Sequence, residues 1–328
     1  MSYRWLYIFL ASFFLAAVAV ADQSCEVPVD VVAAKGGIIR GLKADDLVAA
    51  AGKGRSIPIE SLTYDAGPRR IVFVIDTTRG LPAEARKAES KIAANILDHA
   101  RPNDSFALIT ARGVARQVKF EQGRDAVKQA VLELSEGTGE KSNLGVLDAM
   151  DQAIGWLGEP QPGDSIFLLA LDLEGNHKAN YKKIAQALAE HQVRLFTMDF
   201  GFVNLGNSVK GRQGMFSGGL GTAEPLSGDV LYETGEQNVY PLSINSGGYL
   251  FAENSNDPHR EFKLTDDHLQ RLNQIAMQFY QIIAEFYRLK IGLGPGTAAW
   301  TLGLSESAQR QRGQGESIYP RVLTACRK

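Results

Sequence analysis

Residues 70–76 read RIVFVID, and this stretch decides the fold. A continuous run of apolar and β-branched residues is typical of a strand that is buried on both faces of a parallel sheet. Residues 81–100 follow with the sequence LPAEARKAESKIAANILDHA, in which apolar residues recur at helical spacing. The two segments together predict a strand and a helix that packs on the sheet.

Segments of the same two kinds alternate along the chain. Continuous apolar runs predict strands over 105–111 (SFALITA), 165–172 (SIFLLALD), 193–201 (VRLFTMDFG) and 247–253 (GGYLFAE). Amphipathic runs predict helices over 123–137, 142–157, 179–192 and 266–286. Such alternation predicts a Rossmann-like α/β fold, with a doubly wound, mainly parallel sheet and helices on both of its faces.

The main domain is predicted to span residues 69–290, with smaller parts on either side. Residues 22–68 mix short apolar stretches with Gly and charged residues, which indicates a small β-rich leader segment. Residues 291–328 form a tail, and strands predicted over 287–293 and 299–305 could pair with each other or with the leader. Residues 202–243 are a Gly-rich insert, which is either a mobile binding loop or a partly disordered segment.

Residues 1–21 have the layout of a signal peptide. Arg4 precedes an apolar run, and small residues at Ala19 and Ala21 predict cleavage after Ala21. The protein is therefore expected to be exported, to the periplasm or the extracellular space, with no stable membrane span after cleavage. The alternative is an uncleaved signal anchor that tethers the protein to the membrane, because the apolar run is at the lower limit for a spanning helix.

Two further global features restrict the possible functions. Lys and Arg number 35 and Asp and Glu number 37, which gives a net charge of −2 without the basic field that nucleic-acid binding requires. The chain has two cysteines, Cys25 and Cys326, near the ends of the mature chain. Export would allow a disulfide if the two ends lie close together; otherwise both residues are unpaired thiols.

Polar residues follow the predicted strands, at the edge where open parallel sheets bind ligands. Asp76 and Thr78 follow the first strand, Asp172 ends the strand over 165–172, and Ser142 lies in the loop before the helix over 142–157. Two carboxylates and two hydroxyls could therefore converge. Alternatively, Asp76 caps the next helix, Asp172 pairs with Arg79 or Lys141, and the hydroxyls bond to loop backbone.

Three segments, RIVFVIDTTRG, GEKSNLGVLDAM and FLLALDLEG, resemble the separated parts of the metal-ion-dependent adhesion site of von Willebrand factor A (VWA) domains. The leader and the GGYLFAE segment with its long helix also resemble the bacterial secreted VWFA-related proteins. The resemblance implies four metal ligands, which are Asp76, Thr78, Ser142 and Asp172. The ion implied is Mg²⁺, or Mn²⁺ or Ca²⁺, and oxygen ligands suit each of them.

The sequence also departs from the family motif. Gly80 stands where the motif has its last Ser, which removes one hydroxyl ligand, and Arg79 places a cation beside the loop. The rim that would contact a partner is predicted to include Arg79, Glu174 and Asn143.

The resulting expectation is an exported VWA-type protein-binding module, an adhesion or scaffold protein without enzymatic activity. Its partner would be a protein that offers an acidic side chain to the metal. One alternative is a structural subunit of the envelope or of a secretion apparatus, with a decayed, metal-free site. Another is a metal-dependent hydrolase that uses Asp76 and Asp172.

Overall fold

The computed structural model describes residues 24–33, 37–52, 54–78, 83–137, 140–170, 180–199, 240–252, 264–292, 299–321 and 323. Six strands of this part of the chain form the central sheet: β5 (Arg70–Asp76), β6 (Ser105–Ala111), β7 (Gln117–Val118), β8 (Ser165–Ala170), β9 (Arg194–Asp199) and β10 (Leu250–Ala252). Their spatial order is β10-β9-β8-β5-β6-β7. All neighbours are parallel except β6 and β7, which are antiparallel.

Helices cover both faces of this sheet. One face packs against α1 (Ala83–His99), α2 (Gly123–Leu134) and α6 (Asp266–Ala284). The other packs against α3 (Val146–Leu157), α4 (Tyr181–Glu190) and α5 (Tyr240–Asn245). Along β5, Phe73 joins the first apolar cluster and Val74 joins the second, and both are 0% exposed. The doubly wound fold predicted from the sequence is confirmed.

The leader and the tail build two smaller sheets beside the central one. They contain β1 (Ser24–Ala33), β2 (Leu47–Ala51), β3 (Arg55–Ile57), β4 (Ile59–Asp65), β11 (Phe286–Gly292), β12 (Trp300–Leu304) and β13 (Gly315–Ile318), with α7 (Glu306–Arg312) between the last two. The strand orders are β13-β1-β11-β4 and β12-β2-β3. The two strands predicted near the C-terminus therefore each pair with the leader, and not with each other.

Three details differ from the sequence-based boundaries. The predicted domain end at 290 falls inside β11, which pairs with β1 and β4. The apolar spacing predicted that Phe286 belongs to the long helix. In the structure α6 ends at Ala284, and Phe286 is the first residue of β11. Residues 240–243 belong to α5, while the rest of the predicted insert, 202–239, lies outside the described residues.

A buried ion pair joins the leader to the central sheet. Arg194 of β9 donates to Asp30 of β1 at 2.8 Å, and both side chains are 0% exposed. Arg194 also donates to the carbonyls of Gly247 (2.8 Å) and Ile282 (3.2 Å). Burial raises the pKa of Asp30 from 3.8 to about 7, although Arg194 acts in the opposite direction. The pair fixes the position of β1 against the main domain.

No helix within the described residues is long and apolar enough to cross a membrane. The predicted signal peptide, 1–21, lies outside the described residues.

Candidate functional site

The candidate site is built at the carboxyl end of β5. Asp76 is the last residue of that strand, is 0% exposed, and lies in register with Ala111 at the end of β6. Thr78 is half-buried, and its amide donates to Asp76 Oδ1 at 3.1 Å. The parallel register of β5 with β6 and β8 thus brings Asp76 to the ligand-binding edge of the sheet, as predicted.

The carboxylate of Asp76 is paired with Arg112. The arginine Nε donates to Asp76 Oδ1 at 3.0 Å, and Nη2 donates to Oδ2. Two parallel bonds between a guanidinium and a carboxylate form the strongest common ion-pair geometry. The sequence-based alternatives placed Asp76 at a helix cap or at a metal ion, and neither included Arg112. Arg112 is therefore a partner of Asp76 that the structure shows and the sequence analysis did not name.

Arg112 is delivered by the turn that connects β6 to β7. Both Arg112 and Gly113 have left-handed backbone conformations, with φ of 52° and 53°. Such a conformation is uncommon for a residue other than Gly, and it persists where the surroundings fix it. A Cβ on Gly113 would lie 1.5 Å from the carbonyl oxygen of Thr77. The turn is consequently packed directly against the loop that follows β5.

Hydrogen bonds fasten this turn to both loops of the candidate site. Thr77 donates its amide to Ala111 O at 2.9 Å, and its hydroxyl accepts from the amide of Val114 at 2.8 Å. On the other side, Arg112 N donates to Leu144 O and Ser142 N donates to Gly113 O, each at 2.8 Å. The turn that carries Arg112 therefore ties the loop after β5 to the loop before α3.

The remaining predicted site residues have different outcomes. Ser142 is half-buried, and its hydroxyl accepts from Leu144 N at 3.2 Å, which agrees with the alternative that the hydroxyls bond to loop backbone. Asn143 is exposed on the same loop. The three other predicted residues, Asp172, Arg79 and Glu174, lie outside the described residues, as does Gly80.

Glu89 of α1 is a buried carboxyl group near this site that sequence analysis did not select. It is 1% exposed, and Oε1 has no hydrogen-bond partner within the described residues. Burial first, and then the nearby charge of Asp76, raises the pKa of Glu89 well above its ordinary value of 4.5. Asp199, at the end of β9, also raises this pKa, whereas Arg86 and Arg112 lower it. Burial and the neighbouring carboxylates therefore favour the neutral form of Glu89.

A divalent ion does not fit the residues that this arrangement presents. A hard cation needs several oxygen ligands with free lone pairs, and both oxygens of Asp76 accept bonds from Arg112. Among the described residues, no three His, Cys, Asp or Glu side chains are grouped as a metal site would require. An ion at Asp76 would first have to displace the guanidinium.

Comparisons with known proteins place the chain next to several solved structures. No family model and no curated protein matches it. BatB from Bacteroides thetaiotaomicron, described as a conserved hypothetical protein, is 13% identical, and the match covers 65% of this chain and 98% of BatB with a TM-score of 0.41. An aerotolerance-related membrane protein from Bacteroides fragilis is 10% identical, and the match covers 65% of this chain and 98% of that protein with a TM-score of 0.40.

A von Willebrand factor type A protein from Catenulispora acidiphila also matches. It is 11% identical, and the match covers 93% of this chain and 75% of that protein with a TM-score of 0.43. The likeness in each case concerns the fold. The strand order of the central sheet, with helices on both faces, confirms the VWA-like fold predicted from the sequence.

Proposed function

We propose that the chain is an exported, non-enzymatic module of the VWA type that binds a protein partner without a divalent ion. The observation that supports it is the buried, two-bond pair between Asp76 and Arg112. This pair favours the metal-free structural subunit over metal-dependent adhesion. It also argues against a metal-dependent hydrolase, because Asp76 would be one of its two ligands. Export rests on the predicted signal peptide of residues 1–21.

The proposed contact surface is the carboxyl edge of the central sheet. Glu140, Lys141 and Asn143 are exposed there, on a loop that the Arg112 turn holds in place. Lys141 adds a solvated positive charge at this rim, so an acidic side chain of the partner remains the expected complement. Residues on loops held by a rigid scaffold are the usual position for binding groups.

Recovery of partners with and without chelation tests this proposal. The tagged full chain would be purified from its native host without crosslinking, in EDTA or in Mg²⁺, and the recovered proteins would be quantified by mass spectrometry. We expect the same proteins in the same amounts under both conditions. Lys141→Glu should reduce their recovery, whereas Lys43→Glu, the same charge reversal at an exposed position of the leader, should not. Recovery that requires Mg²⁺ would contradict the proposal.

We also propose that Cys25 and Cys326 form a disulfide. Cys25 lies in β1 and is 4% exposed, and no described cysteine has a free thiol. Leu323, three positions before Cys326, is buried in the same apolar cluster as Cys25. Cys326 itself lies outside the described residues. The pairing of β1 with β13 supports the proposal because it brings the C-terminal segment back to the leader.

A further inference from the structure

We infer that the Arg112 guanidinium is a tethered substitute for a divalent cation, which neutralises Asp76 and holds the two site loops together. Its corollary is that the site around Asp76 would accept Mg²⁺ or Mn²⁺ once the guanidinium is removed. The inference deepens the proposed metal-free function and rests on it. It concerns what replaces the ion, whereas the proposed function concerns what the domain binds.

The negative charge of Asp76 is buried and needs compensation. The Asp76 carboxylate is fully buried, and the Arg112 side chain that pairs with it is 16% exposed. A buried carboxylate without a compensating positive charge is strongly destabilising. A metal ion would provide this compensation in a metal-dependent site, and here Arg112 provides it from within the chain.

The turn around Arg112 also holds the two site loops in place, as a shared ion would. An ion that takes ligands from several loops holds those loops in one arrangement. In this protein the turn around Arg112 makes that connection, through backbone bonds to Thr77 on one side and to Ser142 and Leu144 on the other. The left-handed conformation of Arg112 directs its backbone into these bonds, while its side chain reaches Asp76. Because the cation is covalently attached, its occupancy does not depend on the concentration of any ion.

Asp76 has other oxygen-bearing residues around it. Besides Asp76, Thr78 and Ser142 lie on the two fastened loops; the Thr78 amide donates to Asp76, and the Ser142 hydroxyl accepts from Leu144 N. Glu89 adds a buried carboxyl oxygen without a partner in the described chain, close enough to Asp76 for their charges to interact. One guanidinium carries a single charge. Without it, the buried Asp76 carboxylate would lack the positive charge of Arg112, and a small divalent cation could supply that charge to its oxygens.

Thermal unfolding of the full exported chain tests the inference. Wild type, Arg112→Ala and Arg116→Ala would each be unfolded in EDTA, Mg²⁺, Mn²⁺ or methylguanidinium. Arg116 is the control because it belongs to the same turn and pairs with Glu133 on the surface. We expect equal Tm values for the wild type in EDTA and in metal, and a Tm for Arg112→Ala that is lower by roughly 6–15 °C in EDTA.

Saturating Mg²⁺ or Mn²⁺ should restore roughly 5–10 °C of the Tm of Arg112→Ala, and methylguanidinium should act in the same direction. The double variant Asp76→Asn/Arg112→Ala should not respond to metal, and Arg116→Ala should behave as wild type. Mn²⁺ binding followed by electron paramagnetic resonance should give one bound ion in Arg112→Ala and none in wild type. Mn²⁺ binding can be measured even if Arg112→Ala unfolds at a low temperature.

Two results would overturn the inference. One is a metal-dependent rise in the Tm of the wild type equal to that of Arg112→Ala, since the ion would then bind beside or instead of the arginine. The other is an Arg112→Ala variant that binds no Mn²⁺ and keeps the same Tm in EDTA and in metal. If Arg112→Ala does not fold, Arg112→Lys replaces it, with an intermediate Tm expected. None of these readouts involves the partner, so a failure of the proposed binding function would leave them unchanged.

Discussion

Raising the pH from 5 to 8 should destabilise the protein through one buried carboxyl group, Asp30. Burial between β1 and β9 raises its pKa from 3.8 to about 7, so the folded state keeps the proton over a range in which the unfolded state loses it. The charges that act on Asp30 in the fold are Arg194 and Arg69, which lower its pKa, and Glu285, which raises it. A group whose pKa is raised by folding contributes stability below its unfolded pKa, and that contribution is lost as the pH rises through the folded pKa.

The size of this effect follows from the two pKa values. A difference of one unit corresponds to about 1.4 kcal/mol, so the full shift of Asp30 is equivalent to about 4 kcal/mol. Roughly 2–3 kcal/mol of it should be lost between pH 5 and pH 8, because the unfolded state already begins to ionise below pH 5. A change of this size is a substantial part of the ~5–15 kcal/mol by which domains are usually stable.

Urea unfolding at several pH values would measure this loss. The free energy of unfolding would be determined for wild type and for Asp30→Asn, which removes the titration and leaves Arg194 without its carboxylate partner. We expect Asp30→Asn to lack the part of the pH dependence that Asp30 causes, so that its stability relative to wild type rises by roughly 2–3 kcal/mol between pH 5 and pH 8. Asp98→Asn, which changes an exposed ion pair with Lys128, is the matched control and should leave the pH dependence unchanged.

The wild-type and Asp30→Asn curves, plotted against pH, decide the outcome. If the two curves run parallel from pH 5 to pH 8, Asp30 does not titrate in this range and the reasoning from its burial is wrong.

Three further changes test other parts of the structure. Glu89→Gln should weaken the loss of stability that urea titrations measure as the pH rises above the ordinary Glu pKa of 4.5, because a pKa raised by folding makes the folded state lose stability over that range. Gly113→Ala should cost at least ~2 kcal/mol more than Gly123→Ala in the same assay, since both glycines have positive φ but only Gly113 contacts Thr77. Cys25→Ser should lower Tm by the equivalent of about 2–5 kcal/mol, and non-reducing mass analysis should find no disulfide in it; an unchanged Tm would contradict the proposed bridge.

The architecture could be predicted because the local spacing of apolar residues specifies its strands and helices. The apolar run at 70–76 and the amphipathic segments after it specify strands and helices from the spacing of neighbouring residues, and the structure places β5 and α1 there. The pairing partners of β11 and β12 could not be chosen in the same way. Both strands pair with residues more than 200 positions earlier in the chain, and no local pattern encodes such a register.

The candidate site was predictable only in part, for a related reason. The rule that ligands bind where parallel strands end selects Asp76, but it applies equally to Asp199, the last residue of β9, and to Arg112, which follows β6. Glu89 also left a signal, since it is a charged residue inside the apolar stripe of α1. Strand ends identify the edge of the sheet. They do not identify which side chains meet there.

Sequence analysis could not predict the position of Arg112 beside Asp76, because two features outside helices and strands determine it. Its left-handed backbone conformation is uncommon for any residue but Gly, and the bonds to Thr77 and Leu144 that hold the turn connect three separate segments of the chain. Asp76, Thr78 and Ser142 can therefore match a metal-site motif in their order and spacing while a fourth residue determines the chemistry of the site. Whether such a motif binds an ion depends on whether a neighbouring turn already supplies a positive charge to the carboxylate, and in this protein Arg112 supplies it.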